Sequence, residues 1–210
     1  MHRVAGALAL LALAALALGG CASRKILDVG LKPTDAGHGP LGSAPPVTVR
    51  VADLADKRPE PERIGYTKNA FGGRSADIVT GRPVPAIVRD AVVAEFAASG
   101  HRVGADADLV VSGSVTAFWF ELSTAGGAIE LTGDVGADLT LTDSASGRPL
   151  LTRAYQGHYA ERTAVPDLES AWQRVMNTAL QRMVREIASD PGLLAALRER
   201  GLSRATARER

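Results

Sequence analysis

The side chains able to do chemistry are few and scattered. Histidine ligates metals and moves protons near neutral pH, yet His38, His101 and His158 are far apart, with no His-Glu-x-x-His or comparable pair. Their spacing defines no metal site, no metal or other cofactor is expected, and each reads as a surface histidine. Ser112-Gly113-Ser114 lacks the glycine that precedes a nucleophile-elbow serine and lies inside a strand-like segment, not at a strand-to-helix turn. It reads as small residues packing beneath a helix. Asp53, Asp56, Glu60 and Glu62 could pair for acid–base work or hold a cation, but Lys57, Arg58 and Arg63 interleave with them, so a solvated, charge-balanced turn is expected. Gly72-Gly73-Arg74 and Gly126-Gly127 lack the strand, lysine and helix of a phosphate-cradling loop. No combination specifies a reaction, and the chain is not expected to be an enzyme.

The most informative residue is Cys21, the only cysteine, which directly follows an apolar run ending Leu18-Gly19-Gly20. His2 and Arg3 give a positively charged start, and Val4 to Leu18 is shorter than the roughly 20 residues of a membrane-spanning helix. No polar stripe interrupts that run, as one would in an amphipathic core helix. The arrangement resembles the lipobox of bacterial lipoprotein precursors. The resemblance implies removal of residues 1–20, a mature chain beginning at Cys21, and a diacylglycerol on its thiol. Each buried acyl methylene contributes about 0.8 kcal/mol, so detachment from the membrane would be slow. Ala22 follows the cysteine, whereas in lipoproteins of this kind an aspartate there marks retention at the inner membrane. Its absence implies the periplasmic face of the outer membrane.

The elements that must position any site are read from composition and period. Removing the leader and tether leaves roughly 150 residues, enough for one core. The chain has 24 Lys plus Arg against 23 Asp plus Glu, a balance that gives no reason to expect a nucleic-acid partner. With Cys21 acylated, no thiol remains for a disulfide. Residues 21–46, rich in Gly, Pro and Ala, read as a flexible tether with a span of roughly 25 to 30 Å. Ile26, Leu27, Val29 and Leu31 form an apolar cluster within it, able to lie on lipid or to dock on the domain, docking being the preferred reading.

The single domain is expected over residues 47–198. Val47 to Val51 alternates as a half-buried strand, and Ile64 to Thr67 is a candidate second strand. Val84, Ile87, Val88, Ala91, Val92 and Phe96 recur at helical spacing until Gly100. Leu109 to Phe120, Ile129 to Leu141 and Leu150 to Tyr159 read as three antiparallel strands. In the first, Leu109, Val111, Val115 and Trp119 are expected to share a face; in the second, every odd position is apolar or Gly; the inward face of the third is unassigned. Asp167 stands at an N-cap position, and Leu168, Trp172, Val175, Met176, Ala179, Leu180, Met183, Val184 and Ile187 mark a long amphipathic helix. A short helix from Pro191 to Leu197 and a polar, Arg-rich, disordered tail at 199–210 complete the reading. The fold class is α+β: a two-layer sandwich in which a mainly antiparallel sheet carries both long helices on one face, with a right-handed crossover from the first strand through the first helix.

The lipobox, the strand followed by Asp56-Lys57-Arg58 and Ile64-Gly65, the helix ending Ala98-Ser99-Gly100-His101, Ala107 to Val111, Thr142-Asp143 before Gly147-Arg148, and the last helix before Asp190 together resemble YajG-type lipoproteins. The resemblance spans roughly residues 47 to 198. It implies an α+β domain on a lipid anchor with no catalytic residue to carry over.

One feature stands out against ordinary packing. Phe118, Trp119 and Phe120 put large aromatics on both faces of one strand, so at least one should point away from the helices and could anchor a partner. The competing expectation is a cover built from Ile64, Tyr66 and Phe71. The function expected is a non-catalytic, lipid-anchored accessory or interaction module of the envelope, whose partners are the membrane, through Cys21, and another envelope protein. The alternatives are a lipid-, glycan- or small-molecule-binding lipoprotein, which needs a cavity between sheet and helices, and an enzyme, which needs a cleft with paired perturbed groups.

Overall fold

A computed structural model describes residues 23–69, 71–125, 128–163 and 168–208. Cys21, Gly126-Gly127 and the expected N-cap Asp167 lie outside them. In chain order the strands are β1 (Ser23–Leu27), β2 (Thr48–Val51), β3 (Ala55–Asp56), β4 (Gly65–Lys68) and β5 (Arg74–Thr80). Then come α1 (Val84–Ala98), β6 (Arg102–Val103), β7 (Leu109–Ala125), β8 (Ala128–Asp143), β9 (Pro149–Thr163), α2 (Leu168–Ala188) and α3 (Pro191–Arg208).

The larger sheet has the order β6-β2-β7-β8-β9, with β3 also on the β2 side of β7. β7, β8 and β9 form the expected antiparallel meander, while β2 and β3 run parallel to β7. On β8 the alternation holds: Leu131, Val135, Ala137, Leu139 and Leu141 are buried. α1 and α2 lie against the sheet and touch each other, so the fold is an α+β sandwich. α2 buries Trp172, Val175, Met176, Ala179, Leu180, Met183, Val184 and Ile187, the stripe its period predicts. Two glycines let it sit close. A Cβ on Gly157 of β9 would stand 1.9 Å from the Ala179 carbonyl oxygen, and one on Gly133 of β8 would stand 3.0 Å from a Val175 methyl. Tyr155 and Gly157 are buried, which assigns the inward face of β9 that periodicity left open.

α1 ends in a Schellman motif. His101 N–H donates to the Phe96 carbonyl at 3.0 Å and Gly100 N–H to the Ala97 carbonyl at 3.1 Å, with Gly100 at φ +85°. Only a residue without Cβ takes that conformation cheaply. The His101 ring then packs edge-on to Phe96, centroids 6.0 Å apart.

Four expectations need correction. First, residues 23–46 are not a free tether. β1 pairs with β5, Leu27, Val29 and Leu41 are buried in the core, and the glycines serve close approach. Gly37, at φ +78°, and Gly39 run against the last residues of α1 and α2, where added Cβ atoms would come within 2.9 Å of Ala98 and 2.4 Å of Ala188. Glu95, buried on α1, accepts the Gly37 N–H at 2.8 Å and the Ser99 hydroxyl at 3.0 Å. Second, β5 and β1 add an unforeseen three-stranded sheet, ordered β1-β5-β4. Third, the final helix extends from Pro191 to Arg208. Arg198 donates to the Ser43 hydroxyl at 2.9 Å, Arg200 pairs with Asp143 at 3.2 Å, and Arg204 pairs with Asp108. Fourth, His101 is not a surface residue: it is 5% exposed.

Candidate functional site

The aromatic run sits where a β-bulge changes the alternation of β7. Val115 pairs with Ala137 and Ala117 with Gly136, leaving Thr116 as the extra residue. Beyond it the faces exchange, as one inserted residue requires. Phe118 and Phe120, each 1% exposed, therefore enter the core, and Trp119 turns to the opposite face. The expectation that Trp119 shares a face with Leu109, Val111 and Val115 fails for this reason, and Phe118 and Phe120 are corrected from contact residues to core residues. Phe120 packs on Trp172 with ring centroids 5.2 Å apart.

The cover is partly the expected one. Phe120 N–H donates to the Ile64 carbonyl at 2.6 Å, Ile64 is buried, and Tyr66 meets Trp119 edge to face at 6.0 Å. Phe71 takes no part in it. Trp119 stays half-buried, beside a surface cleft of about 190 Å³ bordered by Tyr66, Lys68 and Glu121. In register it begins a transverse row, Trp119–Asp134–His158, across β7, β8 and β9. The His158 ring lies 2.7 Å from the Asp134 carboxylate. Among the described residues no helix covers this row, so an aromatic, an acid and an imidazole share one open strip of sheet. β9, the outer strand, is blunted by α2: Glu186 accepts the Gln156 N–H at 2.5 Å and Arg182 donates to the His158 carbonyl at 2.7 Å, which limits strand addition there.

The remaining candidates are not brought together. His38 bonds the Thr34 carbonyl at 2.7 Å on the surface. His101 is held by two backbone groups: Val47 N–H donates to Nδ1 at 3.5 Å, and Nε2 meets the Leu41 carbonyl at 3.3 Å. Its burial pushes the imidazole pKa down, against the pull of the Leu41 carbonyl. Ser112-Gly113-Ser114 lies mid-strand on β7; Gly113 has φ +154°, and a Cβ there would collide with the Asp138 carbonyl oxygen at 1.9 Å. That segment is structural. In the charged turn, Arg58 is buried and spends its guanidinium on both Asp56 oxygens at 2.8 Å and on the Arg63 and Pro61 carbonyls at 2.9 and 2.7 Å. Those bonds hold the Asp56 carboxyl below its usual range. Asp53, by contrast, is exposed and pairs with Arg89 at 3.4 Å. Among the described residues no group of three or more His, Cys, Asp and Glu side chains is placed to hold a metal.

Between sheet and helices the packing is tight. The gap framed by Phe96, Val111, Leu141 and Tyr155 measures about 20 Å³, too small for an acyl chain or a sugar. The Tyr155 hydroxyl at its edge donates to Asp190 at 2.8 Å. Burial, then that bond and the Asp190 charge, push the phenol well above its ordinary range. Asp190 also caps α3 through the N–H groups of Gly192 at 2.6 Å and Leu193 at 3.3 Å. Burial raises its pKa, but these donors outweigh burial and keep it low. Among the described residues no helix is long and apolar enough to cross a membrane.

The fold is a two-layer α+β sandwich with a filled core and an open sheet strip. Residues 43–198 match the family described as uncharacterised lipoprotein, and the chain belongs to that family. It has no significant match among curated proteins. Among solved structures it is similar to protein XCC0632 from Xanthomonas campestris, with 15% identity and a TM-score of 0.52 over 82% of this chain and 95% of that one. A minor lipoprotein from Acinetobacter baumannii matches at 11% identity and TM-score 0.39, over 67% of this chain and 91% of that one. The PelC dodecamer from Paraburkholderia phytofirmans, in a leucine-to-methionine variant, matches at 15% identity and TM-score 0.37, over 70% of this chain and 92% of that one. The first of these likenesses supports the fold.

Proposed function

We propose that the chain is a non-catalytic, lipid-anchored module of the bacterial envelope, held by acyl chains on Cys21 at the periplasmic face of the outer membrane, and that it serves as a contact point for another envelope protein. The observation that carries this reading is the placement of the sole cysteine at the end of an uninterrupted apolar run, in a chain of a lipoprotein family. Ala22 in place of Asp favours the outer membrane, and the order of motifs favours the YajG-type branch of lipoproteins. The contact surface we assign is the open strip around Trp119, because a half-buried Trp flanked by Asp134 and His158 offers both an apolar anchor and polar specificity.

A photo-crosslinking residue at position 119 of the acylated protein in living cells tests this. Capture of one defined envelope protein, lost when Thr132 on the same strip is changed to Arg, supports the contact surface. Crosslinks confined to Tyr66 and its neighbours would remove it. Separation of the two membranes on a density gradient, followed by immunodetection, tests the location, and recovery in the inner membrane would refute it.

A further inference from the structure

Phe71 is 97% exposed, and it does not sit on a loose loop. It occupies the tip of the β4–β5 hairpin, where the Asn69 side-chain oxygen accepts the N–H groups of Phe71 at 3.0 Å and Gly73 at 2.9 Å. Asn69 and Gly72–Gly73 close the turn through backbone bonds of 2.8 and 2.9 Å, with Gly72 at φ +80°. The turn fixes a large aromatic outside the core, although most apolar groups of that size are covered.

The position of the tip gives the exposure a meaning. β1 runs parallel to β5, with Ser23 opposite Ala76, and Thr67 of β4 faces Ala76 from the other side. The start of β1 and the hairpin tip are therefore at the same end of the small sheet. Cys21 precedes Ser23 by two residues, and two residues reach at most about 7 Å. An acyl anchor on Cys21 has no tether to lift the domain, so this end of the sheet must meet the lipid headgroups. Its charge fits: residues 23–26 and 66–76 contain Arg24, Lys25, Lys68 and Arg74 and no carboxylate, and Arg24, Lys68 and Arg74 are exposed. Two acids adjoin this end: Asp77, buried and paired with Arg74, and Glu121, which borders the same cleft as Lys68.

We infer that the β4–β5 hairpin is a second membrane contact, in which Phe71 enters the bilayer interface beside the Cys21 acyl chains while Arg24 and Lys68 engage lipid phosphates. This rests on acylation of Cys21. The device does not add greatly to retention, which the acyl chains already secure; it fixes orientation. With two points of attachment the domain cannot swing about its anchor, so the Trp119 strip is presented at a set height and direction.

The mature acylated protein provides its own test, because Cys21 carries lipid and an F71C substitution introduces the one free thiol. That thiol is labelled with the environment-sensitive fluorophore NBD, and the protein is reconstituted in phosphatidylethanolamine–phosphatidylglycerol vesicles with or without nitroxide-bearing lipid. A second sample carries the label through S146C, in the β8–β9 turn at the far end of the large sheet. The expected result is a blue shift and quenching by lipid nitroxide at position 71, and neither at position 146. An aqueous spectrum at both positions, in protein that floats with vesicles and shows the acyl mass, overturns the hairpin contact and leaves the anchor standing. Absence of the acyl mass overturns the anchor and this inference with it.

Discussion

Replacing Gly157 by Ala tests the seating of α2 on the sheet, because the added methyl has nowhere to go. Its Cβ would lie 1.9 Å from the Ala179 carbonyl oxygen and 2.5 Å from the Met183 nitrogen, both backbone atoms of one helix turn, whereas ordinary contact begins near 3.4 Å. No rotamer relieves this, so α2 must move outward by about 1.5 Å or β9 must buckle by as much. A gap of roughly 0.5 to 1 Å already forfeits a quarter to a half of the dispersion energy across it. The face that would open contains Val175, Met176, Ala179, Leu180, Met183 and Val184, all buried. Overpacking typically costs about 1 to 3 kcal/mol, and the backbone obstacle places Gly157→Ala at about 3 kcal/mol or slightly above. With a urea slope of about 2 kcal/mol per molar, the midpoint should fall by about 1.5 M. The assay is equilibrium urea denaturation of the chain from Ser23 onward, followed by tryptophan fluorescence. Gly30→Ala is the reference, since no atom lies within 4 Å of a Cβ there, and it should stay within about 1 kcal/mol of the parent. Equal midpoints for the two variants would refute the close contact of α2 with β9.

Three further outcomes follow from the same packing. Trp172→Ala should cost about 3 to 5 kcal/mol, since the indole is buried against Phe120; an unchanged thermal midpoint would contradict that placement. His101 has a folded pKa below its ordinary value because burial disfavours the imidazolium, so its contribution is present above about pH 6.5 and is lost as pH falls toward the folded value. The slope is at most about 1.4 kcal/mol per pH unit. His101→Asn should flatten that part of the stability profile below about pH 6.5, and parallel profiles for variant and parent would count against it. Asp190→Ala removes a helix cap and the acceptor of a buried phenol, and should lower stability by about 2 to 4 kcal/mol, whereas Asp53→Ala should be silent; matched denaturation curves would exclude the capping role.

Legibility in the sequence followed the range of the interactions. β8 and α2 show one-sided burial with a steady period, so their faces, Trp172 and Val175 included, could be read directly. β7 could not be read past Val115, because a bulge at Thr116 inverts the alternation and leaves no periodic trace of itself. The single hint was the Phe118-Trp119-Phe120 run, which no one-sided strand accommodates. Residues 23–46 misled for a different reason. Their glycines mark close approach to the ends of α1 and α2, but Gly37 and Gly39 read locally like linker glycines; Leu27 and Val29 dock in the core as preferred, whereas the burial of Leu41 depends on partners tens of residues away. The C-terminal arginines likewise read as a solvated tail until Asp108, Asp143 and Ser43 were placed opposite them. The signal at Cys21 is local, an apolar run, small residues and one cysteine, and it lies outside the described residues.

The most direct test of the account is mass spectrometry of the mature N-terminal peptide of the protein extracted from native membranes. The expected spectrum begins at Cys21, lacks residues 1–20, and carries the mass of a thioether-linked diacylglycerol that disappears in a Cys21→Ser variant. An N-terminus at Met1, or an unmodified thiol at Cys21, would contradict the lipid anchor and the membrane-facing role of the hairpin built upon it.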